Sequence, residues 1–277
     1  MSNNVLVIDV GTQSLRAIVF NDKGEILAKE KIKYPPYISE KSGYVEQDAD
    51  MYWDVLCQAT QNLAQNHAEL LSSVIGVTLD TFRDTSVLLG KDNRPVRRTI
   101  IWCDQREADT GKKLPAFQRF AFGLAGVMRS IDAVRRKVKP SWVKQNEPEV
   151  WAKVTHVVQI SAYLNYKLTG SLCDSVASTI GHIPFDYKNK KWLTEKGLTF
   201  PVYDLPLSMM IPVVDPGEVL GKVSAEAHKQ SGIPEGLAVY ASGSDKGCET
   251  LGVGCLNKNV ASVSFGTSCS VQFSTKD

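Results

Sequence analysis

Two stretches of this chain, one near each end, have the same build, and any fold must accommodate both. Val5-Leu6-Val7-Ile8-Asp9-Val10 runs into Gly11-Thr12-Gln13-Ser14 and leaves through Leu15-Arg16-Ala17-Ile18-Val19-Phe20. Val260-Ala261-Ser262-Val263-Ser264-Phe265 runs into Gly266-Thr267-Ser268 and leaves through Cys269-Ser270-Val271-Gln272-Phe273. An apolar run rich in branched residues, a turn of glycine and hydroxyls, and a second apolar run predict a strand–turn–strand hairpin. Glycine lets the backbone approach a ligand, and successive N–H groups with Thr and Ser hydroxyls cradle an anion. Either hairpin alone reads as a structural turn. The pair, with Asp9 at the tip of the first strand, predicts a polyphosphate gripped from two sides.

Composition narrows the field by exclusion. A net charge of +2 on 277 residues gives no broad pull toward nucleic acid or a membrane surface. No apolar stretch approaches the roughly 20 residues of a membrane span. The first residues lack a basic region and carry Asp9 within their apolar run, so no signal peptide is expected. The six cysteines form no Cys-x-x-Cys pair, which predicts reduced thiols in a cytoplasmic protein and no zinc site. The four histidines are isolated and read as structural or surface residues. The basic run Arg129 to Lys144 reads as the wet face of one helix rather than an anion site.

The order of elements predicts an α/β domain with a mixed sheet flanked by helices. A third strand is expected over 25–33, and a helix capped by Asp48 or Asp50 with Tyr52, Val55, Leu56, Ala59 and Leu63 on its apolar face. Strands are expected at 74–79 and 86–89. The chain from Asp104 to about Lys167 reads as mostly helical, broken near Pro140 and Pro148 and closed by Gly170. Residues 171–205 are loop-rich. A short helix over 225–231, a strand over 237–241 and a helix starting near Asp245 complete the pattern.

Two aspartates carry the chemistry. Asp9 repels phosphate but can hold Mg²⁺ or its waters, and the metal neutralises phosphate oxygens; the competing role is stabilising its own turn. Asp245 follows an apolar strand in Ser242-Gly243-Ser244-Asp245-Lys246-Gly247, where α/β folds gather ligands. It can accept the proton of a hydroxyl attacking a phosphoryl group, or cap a helix, and spacing does not decide between the two. No Gly-x-x-x-x-Gly-Lys-Ser/Thr loop, protein-kinase signature or Gly-x-Ser-x-Gly elbow occurs, which excludes those scaffolds.

Together these residues resemble the N-terminal half of the FGGY carbohydrate kinases. The resemblance rests on Asp9 to Ser14, on Gly43-Tyr44-Val45-Glu46-Gln47-Asp48 with Trp53, and on Trp102-Cys103-Asp104-Gln105-Arg106. It extends through Asn146-Glu147-Pro148-Glu149, Tyr163 to Gly170, Gly243-Ser244-Asp245 and Gly266-Thr267-Ser268. It implies an actin-like, ribonuclease-H-like fold that closes on ATP and a small sugar or polyol, with Asp245 as general base. It implies that Gly11, Thr12, Gln13, Ser14, Gly266 and Thr267 handle the nucleotide and that Asp9 handles Mg²⁺. Residues 1–252 would form the sugar-binding domain, and 253–277 the start of a truncated nucleotide-binding domain. Domain closure assembles such sites, so sugar binding should survive better than turnover.

Two departures from the family pattern matter, the Arg129–Lys144 stretch, expected to alter the cleft rim, and one loop. Asp80-Thr81-Phe82-Arg83-Asp84 falls where the family places substrate contacts, yet it fits neither the glycerol-type nor the xylulose-type pattern. Arg83 and Asp84 are therefore substrate candidates, set against a surface ion pair. Trp102, Asp104 and Arg106 either reach the sugar or fix their loop, with the loop role favoured, and Asp174 is a weaker candidate. Expected partners are ATP, a sugar or polyol and a second copy of the chain. The rival functions are a sugar-binding protein without catalysis and an actin-like phosphotransferase acting on another acceptor.

Overall fold

The computed structural model describes residues 3–111, 113–265 and 269–275. Three strands open the chain, β1 (Asn4–Val10), β2 (Ser14–Phe20) and β3 (Ile26–Lys33). The long helix α1 (Ala49–Asn66) and strand β4 (Val74–Thr81) follow. After an irregular middle come α2 (Ile160–Thr169), β5 (Val219–Lys222), α3 (Ala225–Ser231), β6 (Ala238–Tyr240) and α4 (Asp245–Gly252). A six-stranded sheet runs in the order β5-β6-β4-β1-β2-β3. Its central strands β6, β4 and β1 are parallel, and the outer pairings are antiparallel, so the sheet is mixed as expected.

Alternation along β1 sets the two faces of the sheet. Leu6, Ile8 and Val10 are fully buried, and they join Leu79, Leu56, Leu63 and Tyr52 in one large core. The intervening Val7 and Asp9 are only partly covered. Period-two geometry therefore sends Asp9 to the face away from the helical core. Helices α1, α2 and α3 contact one another, and α1 and α2 contact the sheet. Each Leu or Ile moved wholly out of water there contributes about 1.5–3 kcal/mol.

Several local expectations hold closely. The predicted bounds of α3 match, with Ser224 accepting from the Ala227 N–H at its start and left-handed Gly232 at its end. Left-handed Gly170 closes α2. Asp48 sits at the N-cap of α1 but makes no side-chain cap bond. The Asp50 carboxylate instead accepts the Tyr163 hydroxyl at 2.5 Å.

The middle of the chain is less helical than expected. No regular element occupies the described residues between Ile100 and Ala116, and His156–Gln159 is a strand paired with Ser86–Leu89. The basic run is two helices, Met128–Lys137 and Lys139–Asn146, rather than one. Pro140 has no N–H to bond back to the preceding turn, so the helix restarts there. Arg129, Arg136 and Lys137 keep the exposed positions expected of them, whereas Lys139 is buried. Its ammonium donates to the backbone carbonyls of Asp104 and Arg106 at 2.8 and 2.6 Å. Near the end, β7 (Ala261–Phe265) and β8 (Cys269–Phe273) form the second predicted hairpin.

Candidate active site

The parallel strands deliver their carboxyl ends to one edge of the sheet, where ligands of α/β folds collect. β1 ends in the Gly11–Ser14 turn, β4 continues into Phe82-Arg83-Asp84, and β6 leads to Ser244 and Asp245. A bridge between Thr81 and Ser244 ties the last two together. Two hollows open there. One, of about 440 Å³, is lined by Thr12, Phe82, Arg83, Asp84, Trp102, His182, Tyr187, Asp245 and Lys246, among others. The other, a groove of about 700 Å³, includes Asp9, Gly11, Thr12, Gln13, Ser14, Asp80, Asp245 and Phe265 in its lining. Thr12, Asp245 and Lys246 belong to both, so the hollows form one cleft.

Asp245 is the first residue of α4, and the Ser244 hydroxyl caps that helix by accepting from the Gly247 N–H. Ser244, rather than Asp245, is therefore the helix cap. Burial raises Asp245 above the ordinary carboxylate range, against the pull of the Lys246 N–H, the Arg83 guanidinium and the Lys246 ammonium. A raised carboxylate beside a cleft suits a proton acceptor working near neutral pH.

The turn after β1 is braced from both sides. Gly11 N–H donates to the Ser14 carbonyl at 3.1 Å, and the Tyr37 hydroxyl donates to the Thr12 carbonyl at 2.6 Å. A Cβ on Gly11 would stand 3.2 Å from the Ser14 carbonyl oxygen, so the turn has little room for a side chain. Asp9 is ion-paired with Arg16, its register partner on β2. Gly266 and Thr267 lie outside the described residues. Their neighbours Ser264 and Phe265 line the same groove as the first turn.

Among the substrate candidates, Arg83, Asp84 and Trp102 line the sugar-sized hollow and Asp104 does not. The Asp104 carboxylate accepts from the Val45 N–H at 2.6 Å and from the Arg106 guanidinium at 2.7 Å. Burial works against its ionisation, yet Arg106 and the Val45 and Arg106 N–H groups hold it below the usual carboxylate range. Arg106 itself lies between the Tyr44 and Trp142 rings, 4.2 and 4.7 Å from their centres. Asp104 and Arg106 therefore fix their loop. Trp102, four residues from Arg106, forms part of the cleft wall. Asp174 is also internal, accepting from Ser161 at 2.5 Å and Asn165 at 3.2 Å.

The ion pair weighed for Arg83 and Asp84 does not form. Asp84 accepts from the His182 backbone N–H at 2.8 Å and meets the His182 Nδ1 at 2.7 Å. It adopts a left-handed backbone, φ 56°, that brings its carboxylate onto the 180–182 segment. His182, read from sequence as structural or surface, lines the cleft, and so do Tyr187 and Lys246. Lys246 reaches Glu249 at 2.6 Å and Ser264 at 2.7 Å, connecting α4 to the second hairpin. Asp80 was also passed over, although it ends an apolar strand as Asp9 does.

The sequence pattern described as the FGGY family of carbohydrate kinases, N-terminal domain, matches residues 4–252. This chain belongs to that family. It is 27% identical over 267 residues to the xylulose kinase of Lactococcus lactis, covering 95% of this chain and 52% of that protein. It is 24% identical over 280 residues to the glycerol kinase of Janthinobacterium, covering 99% and 54%. The crystal structure of gluconate kinase from Lactobacillus acidophilus superposes with a TM-score of 0.80 at 19% identity, covering 98% of this chain and 54% of that one. The fold is the actin-like fold of the FGGY sugar kinases. The chain spans about half the length of the curated relatives it matches. No helix among the described residues is long and apolar enough to cross a membrane.

Proposed function

We propose that this chain supplies the sugar-binding side of a kinase that transfers a phosphoryl group from ATP to a hydroxyl of a small sugar or polyol. The observation that carries the reading is the position of Asp245, shared by the sugar-sized hollow and the groove at the glycine–threonine turn. A hydroxyl held in the hollow gives its proton to the Asp245 carboxylate as its oxygen bonds to the γ-phosphorus of ATP, while the bond from that phosphorus to the bridging oxygen breaks and ADP leaves. Arg83, Asp84 and Trp102, which line that hollow, orient the sugar. Gly11, Thr12, Gln13 and Ser14 receive the phosphates, and the same role is proposed for Gly266 and Thr267, which lie outside the described residues.

The residues at hand also suit Mg²⁺. This ion keeps several waters and binds through one or two carboxylates plus substrate phosphates, so it needs no all-protein cage. Asp9 borders the groove, and the described residues gather no group of three or more metal-ligating side chains. When bound, Mg²⁺ neutralises phosphate charge during transfer. Residues 253–277, with β7 and β8, would begin the nucleotide-binding domain.

The test is sugar-dependent ADP release by the kinase at the full length of its relatives. Asp245→Asn should lower kcat by about 10²–10⁴ while sugar binding persists. Normal turnover in that variant would remove Asp245 from the role of base.

A further inference from the structure

We propose that Asp80 is a second carboxylate for the divalent cation of this site, standing beside Asp9. The inference rests on the kinase reading for the phosphates that the cation would serve. It starts from a row of charges written across the sheet. Lys31 on β3 is in register with Arg16 on β2, Arg16 with Asp9 on β1, and Asp9 with Asp80 on β4. Register partners in a sheet project from the same face, so the four side chains share the face turned away from the helical core.

Pairing along that row is uneven. Arg16 meets Asp9 directly. Asp80 is only 9% exposed, yet no hydrogen bond or ion pair reaches its carboxylate among the described residues. It borders the groove together with Asp9 and Asp245. Burying a carboxylate without a partner is costly, and native proteins rarely leave one unsatisfied. A cation in the groove would hold that carboxylate ionised beside Asp9. The phosphate cradle lies beside it, and a hard divalent ion takes oxygen ligands from carboxylates, phosphates and water. A proton-acceptor role fits less well, because Asp245 lines the sugar-sized hollow and Asp80 does not.

Mn²⁺ is the probe, titrated into the chain and followed by the electron paramagnetic resonance of the free ion, without nucleotide. Wild type should bind one Mn²⁺, and Asp80→Asn should weaken binding at least about tenfold. Asp186→Asn, at a carboxylate that does not line the groove, should leave it unchanged. Melting in EDTA separates a lost ligand from a lost fold: Asp80→Asn should melt at or above the wild-type temperature, since it removes a carboxyl whose charged form burial disfavours. Equal Mn²⁺ affinity in wild type and Asp80→Asn would overturn the proposal. So would the absence of any Mn²⁺ binding by wild type, or an Asp80→Asn chain that melts well below it. None of these results touches the kinase reading, because binding of sugar to the chain is measured without a cation.

Discussion

At the scale of single residues, close approach and burial decide what each side chain can do. Gly181 shows the first. A Cβ there would lie 2.7 Å from Asp84 Oδ1 and 3.1 Å from its Cα, so Gly181→Ala must push Asp84 away from His182. We expect a loss of about 1–3 kcal/mol in urea unfolding and weaker sugar binding; unchanged stability would show that the segment adapts freely. Asp174 shows the second. Burial pushes its carboxyl up to about 7, against the bonds from Ser161, Ser175 and Asn165. Its folded form thus holds a proton between about pH 4 and 7 that the unfolded chain releases. Its contribution to stability is full at low pH and falls as pH rises through that window, by at most about 1.4 kcal/mol per pH unit. Asp174→Asn should flatten this decline in unfolding curves taken at pH 4.5, 6 and 8, and parallel wild-type and variant curves would contradict it. Asp9 and Asp245 were legible in the sequence because each ends an apolar run beside glycine. His182 was not, since the carboxylate that holds it is 98 positions away.

Elements place those residues, and their ends matter more than their middles. Helix α4 begins at Asp245 because Ser244 caps it, so one hydroxyl both starts the helix and fixes the place of Asp245. Ser244→Ala should cost about 0.5–2 kcal/mol by thermal melting and should also lower kcat of the full-length kinase. A stability loss with kcat unchanged would mean that Asp245 keeps its place without the cap. The bounds of α3 were readable from Ser224 and Gly232, both local signals. Strand His156–Gln159 was not readable, because it exists only through pairing with Ser86–Leu89 far earlier in the chain. The break before Pro140 was visible as a proline. What sequence alone did not supply was the buried berth of Lys139 beneath Asp104 and Arg106.

For the whole molecule, the mixed sheet and its parallel centre explain why residues from β1, β4 and β6 meet at one edge. That architecture was inferable from the order of hydrophobic runs, and the paired hairpins pointed to the edge that matters. The walls of the cleft were legible in part: Arg83 and Trp102 were candidates from their motifs, whereas His182 and Tyr187 arrive from a separate, loop-rich segment. The central claim is that this edge binds a small carbohydrate. The most direct measurement is the melting temperature of the chain against glycerol, pentuloses, hexuloses, pentitols and aldonates. One class, at about 100 times its dissociation constant, should add about 2.7 kcal/mol of stability. Asp84→Ala should abolish that gain, and Lys144→Ala, beside a separate cavity, should preserve it. A panel on which nothing raises the melting temperature, or a gain that survives Asp84→Ala, would contradict the account.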